Sequence, residues 1–128
     1  MAENRAPAEA HRTAIHEAGH AALLVALGIG CSLVSIVPYL SKGWNGFCVP
    51  AGPTAAEFII DGIDPDTESP DLFFALAKRR CALLVAHYQP EILALARALE
   101  ENRVLSGKYT RRVFMKSLAK RSGTLMTF

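Results

Sequence analysis

Residues 7–38 read PAEAHRTAIHEAGHAALLVALGIGCSLVSIVP, and the way this stretch divides decides the fold. From Ala21 to Leu40 there is no charged residue, and an uncharged run of about 20 residues meets the length rule for a membrane-spanning helix. The internal signals argue against one continuous helix. Gly28 and Gly30 interrupt the run, Ser32 and Ser35 follow, and Pro38 closes it. The apolar period also changes midway, from helical (Leu23, Leu24, Leu27) to β-rich (Leu33, Val34, Ile36, Val37). The reading is a helix from about Pro7 to Leu27, a glycine turn, and a strand from Leu33 to Pro38. Pro7 suits a first helical position and Glu9 places a carboxylate in the first turn.

That helix carries His16-Glu17-Ala18-Gly19-His20. Histidines four apart on a helix share one face, one turn apart, so both imidazoles reach a common metal ion. Zinc accepts imidazole nitrogen and, in catalytic sites, keeps one coordination position for water. Glu17, next to the first ligand, is the candidate general base: it takes the proton of the attacking water and later passes it to the leaving amine. Gly19 and Ala21 are small, leaving room for another backbone to pack closely. Two protein ligands are too few, and a third His, Glu or Asp is expected from elsewhere. The downstream candidates are Glu57, Asp61, Asp64, Asp66, Glu68, Asp71 and His87, and no spacing rule selects among them. A carboxylate is favoured, because His11 faces elsewhere on its helix and His87 reads as a histidine at the end of an apolar helix.

The rest of the chain reads as mostly helical. Gly46 to Val49 is a candidate second strand, Thr54 caps a short helix to Gly62, and residues 61–70 form an acidic, proline-containing loop. Ser69 or Pro70 opens a long helix to about His87, and Pro90 opens another to about Asn102. Leu105-Ser106-Gly107 reads as a turn, and Lys108 to Ala119 as a final amphipathic helix. The expected fold is therefore α+β, mostly helical, with the HExxH helix beside a small β-sheet and a helical bundle after it, all in one domain over residues 1–128. The 128 residues are 51% apolar, enough for a core without staples. The net charge of +2 gives no ground for a nucleic-acid partner. Cys31, Cys48 and Cys81 form no CxxC pair and read as free or buried thiols. The polar N-terminus lacks a basic-then-apolar layout, so no secretory signal and no membrane span are expected, and the cytoplasm is the expected location.

The block Thr13-Ala-Ile-His-Glu-Ala-Gly-His-Ala21 resembles the peptidase domain of the FtsH family of ATP-dependent zinc metalloproteases. The likeness continues through Val34–Pro38 and Gly46–Pro50, similar to two strands of that domain. Ala51–Ile60 resembles its AGRxAEE helix, Pro70-Asp71-Leu72 its Asn-Asp-Leu helix start, and Leu95–Gly107 a helix and turn near its end. The resemblance implies His16, His20 and Asp71 as zinc ligands and Glu17 as general base, with Glu57 as the alternative ligand or a partner that orients a histidine. Three departures stand out. No Gly-x4-Gly-Lys-Ser/Thr loop of an ATPase occurs in these residues, the stretch between His20 and Asp71 is shorter, and Pro53 replaces the arginine of AGR.

The expected activity is that of an ATP-independent zinc metallopeptidase acting on flexible or unfolded polypeptides, with the Leu33–Val37 strand as a place for substrate to add in β fashion. The alternative is a catalytically silent zinc-binding interaction module whose contact surface is the basic tail of Arg111, Arg112, Lys116, Lys120 and Arg121.

Overall fold

The structure is a computed structural model that describes residues 6–52 and 70–122. Its elements run α1 (Pro7–Ala26), β1 (Cys31–Ser35), a 3-10 turn (Leu40–Lys42), β2 (Phe47–Pro50), α2 (Pro70–His87), α3 (Gln89–Asn102), β3 (Val104–Ser106) and α4 (Gly107–Arg121). The mostly helical α+β class expected from the sequence is what these elements build. The expected helix over 54–62 and the loop over 61–69 lie outside the described residues.

The glycine turn after α1 forms for a local reason. Gly28 and Gly30 both adopt positive φ, +79° and +76°, a region L side chains enter only at a cost. The chain thereby folds back over the helix end, where the Ile29 and Gly30 amides donate to the Leu24 carbonyl at 2.9 Å. Carbonyls left without helical partners are satisfied in this way, and the chain leaves in strand conformation. No helix among the described residues is long and apolar enough to cross a membrane.

The sheet is antiparallel with strand order β2-β1-β3. β3 corrects the sequence reading, in which 105–107 was a turn. Leu33, Val34 and Ser35 pair with Ser106, Leu105 and Val104. Arg103 makes this possible by taking a φ of +68° after α3 and donating its amide to Leu99, so a non-glycine residue ends the helix. A second consequence follows for β1. It lies between two neighbours, so substrate addition along Cys31–Ser35 is blocked. β2 and β3 are the outer strands, each with one side unpaired among the described residues.

The core lies where α1 crosses α3 and both cover the sheet. Ala14, Ala18, Ala21 and Ala22 of α1 are buried against Ile92, Leu95, Ala96 and Leu99 of α3. Alanines at that contact let the two helix backbones come close. Val34, Ile36, Leu105 and Phe114 fill the space between helices and sheet. The corner from β3 into α4 is tight: Gly107 sits against the Cys31 carbonyl, and an added Cβ there would overlap it. Ser106 caps α4, its hydroxyl accepting from the Tyr109 amide at 3.2 Å. α2 packs only lightly, leaving Leu72, Leu76, Leu83 and Val85 exposed.

Candidate metal centre

α1 presents His16 and His20 on one exposed face and turns Glu17, 7% exposed, inward beside them. The His16 and His20 Nε2 atoms are 3.2 Å apart, one ring donating to the other, with the rings edge-on at 86°. This separation tests whether the pair suits a metal. Two nitrogens each about 2.0–2.1 Å from a tetrahedral zinc ion lie roughly 3.3–3.4 Å from each other. The pair therefore already stands at nearly the spacing that a shared zinc requires.

Glu17 lies beneath the loop that joins the 3-10 turn to β2. Gly46 is the point of closest approach. A Cβ built there would stand 2.6 Å from the Ser35 carbonyl oxygen and 3.2 Å from Glu17 Cγ, so only glycine lets the loop lie against α1. The Tyr39–Trp44 backbone bridge and the Tyr39, Trp44 and Phe47 rings brace this loop. Burial pushes the Glu17 carboxyl above its ordinary 4.5, with the charges of His20 and then His16 pulling it back. A carboxylate held up in this way binds a proton more readily than a free one.

An open cleft of about 710 Å³ runs beside these residues, lined by Arg12, Thr13, His16, Glu17, Trp44 and Gly46 among others. Arg12, one turn before His16 on the same helix, was missed in the sequence reading, although its four-residue spacing from His16 carries the signal. Trp44 and Gly46 carry no such signal, because their place depends on how the loop docks.

The remaining candidates distribute as follows. Asp71 is the second residue of α2, in keeping with the expected helix start; its side chain is outside what the structure describes, as are Glu57, Asp61, Asp64, Asp66 and Glu68. Among the described residues no third His, Cys, Asp or Glu joins His16 and His20. His87 ends α2, exposed, its ring edge-on to Tyr88. His11 lies 2.6 Å from Glu100 and ties α1 to α3.

Cys31, Cys48 and Cys81 are free thiols. The Cys31 and Cys48 thiols, on β1 and β2, titrate together: interaction with Cys48 lowers Cys31 to about 7 against the effect of burial, and interaction with Cys31 together with burial pushes Cys48 up. The Glu17 charge raises Cys48 as well. No family model matches the chain, and no curated protein is significantly similar to it.

Proposed function

We propose that this chain is a zinc metallopeptidase of the FtsH-like type, acting without an attached ATPase on flexible or unfolded polypeptides. The observation that carries the reading is the His16–His20 nitrogen pair at 3.2 Å, with His16 and Glu17 both lining the cleft. His16 and His20 would hold the metal, and Asp71 is the third ligand that the resemblance supplies. Zinc, when bound, supplies positive charge that acidifies water and offsets the charge developing on the scissile carbonyl oxygen.

The chain's own residues do the rest. Glu17 accepts the proton of the attacking water at its carboxylate and returns it to the departing amine nitrogen. Its side chain packs under the loop at Gly46. The Gly46 contact fixes the loop over it. The open side of β2, which leaves this loop directly, offers backbone groups to which an extended substrate adds as a further strand.

The test is zinc-loaded protein with a fluorogenic unfolded substrate. Glu17→Gln should retain zinc yet lose cleavage by about 10²-fold or more, the usual worth of a general base. Undiminished turnover in that variant sinks the mechanism. Zinc retention with no turnover in the wild type would instead identify a zinc-stabilised binding domain.

A further inference from the structure

Away from the histidines, α3 and α4 enclose a groove of about 550 Å³. Its floor is aliphatic, formed by Leu93, Ala94 and Val113, with Leu93 45% exposed. Its rims carry Arg97 from α3 and Arg112, Lys116 and Lys120 from α4, and among the described residues no carboxylate lines it. The chain as a whole balances 14 basic against 12 acidic residues, so this segregation is a property of the face and not of the composition. The acid nearest in sequence is turned away: Glu91 is fully buried, accepting from Arg121 Nη2 at 2.6 Å and from the Ser117 hydroxyl at 3.2 Å. Arg121, the remaining cation at the end of α4, is thereby occupied.

We infer that the α3–α4 groove docks an acidic polypeptide segment bearing apolar anchor residues. The spacing favours a helical segment. Arg112, Lys116 and Lys120 follow one another at four-residue intervals, each roughly 6 Å of axial rise. Carboxylates on one face of an acidic helix repeat at the same interval. The concave aliphatic floor suits the leucine-type anchors of such a helix. A nucleic acid would make no use of that floor, and a membrane surface would contact a flat or convex face in preference to a groove. The inference does not rest on the peptidase reading.

The probe is a fluorescein-labelled leucine–glutamate peptide with leucines at i, i+3, i+4 and i+7, titrated into the full chain at low and moderate salt. Binding should be saturable and weaken with salt. It should fall about tenfold or more in Arg112→Glu/Lys116→Glu, as expected for like charges brought face to face, and also in Leu93→Asp. Lys78→Glu/Arg79→Glu on α2 makes the same charge change outside the groove and should leave affinity unchanged. If the double reversal fails to fold by circular dichroism, the milder Arg97→Gln/Lys120→Gln takes its place. The proposal is overturned if polyglutamate binds as well as the amphipathic peptide, or if the α2 reversal costs as much. It is equally overturned by tighter binding of an oligonucleotide or of phosphatidylglycerol vesicles, or by no peptide binding at all.

Discussion

Glu17 sits at the tension between stability and chemistry. Its carboxyl is nearly enclosed, and burial raises its proton affinity above the ordinary 4.5. Between that value and the higher one in the fold, the native state holds more protons than the unfolded chain, so stability falls as pH rises through this window. In metal-free protein, Glu17→Gln removes the buried charge. It should melt above wild type at neutral pH, by on the order of a few °C, and the gap should close as pH is lowered toward 4.5. Thermal melts across pH in the presence of a chelator check this; a glutamine variant that melts lower at neutral pH contradicts it. At the same scale, the pairing of His16 with His20 was fully legible, because a four-residue interval on a helix fixes both directions. The role of Gly46 was not, because a glycine between Asn45 and Phe47 reads as a turn residue until the loop is seen resting on Ser35 and Glu17.

Helix limits were readable wherever the backbone is constrained by residue type. Pro7, Gly28, Pro70 and Pro90 mark ends that agree with α1, α2 and α3 to within one or two residues. The third strand was hidden because it spans only Val104–Ser106 and is stabilised by partners some seventy residues earlier. Its preceding stop, Arg103, carries no local signal for positive φ. The link between α3 and α4 was likewise invisible, since Glu91 in a first helical turn reads as an ordinary dipole contact. The structure buries it completely and gives it Arg121 and Ser117 as partners. Arg121→Ala leaves the buried carboxylate with Ser117 as its remaining donor and should lower the melting temperature by roughly several °C, whereas Glu91→Gln, which leaves a neutral amide able to bond Ser117, should cost clearly less. Equal losses, or the reverse order, would show that the carboxylate is not held by this pairing.

Across the whole molecule, α1 serves both the core and the candidate site. Its alanine face joins α3 in the core, and on its other side His16 and Glu17 line the open cleft walled by the loop before β2. The class of fold followed from apolar periodicity and chain punctuation, which act locally. The cleft did not, because it forms only when a distant loop docks on α1. Whether this face of α1 binds zinc is decided by the zinc content per chain, measured by mass spectrometry on purified wild type with His16→Ala and Asp71→Ala alongside. About one zinc per chain in wild type is predicted from a three-ligand catalytic site, with loss in both variants. Absence of zinc from wild type, even after zinc is added back, or full retention in His16→Ala, would contradict the claim.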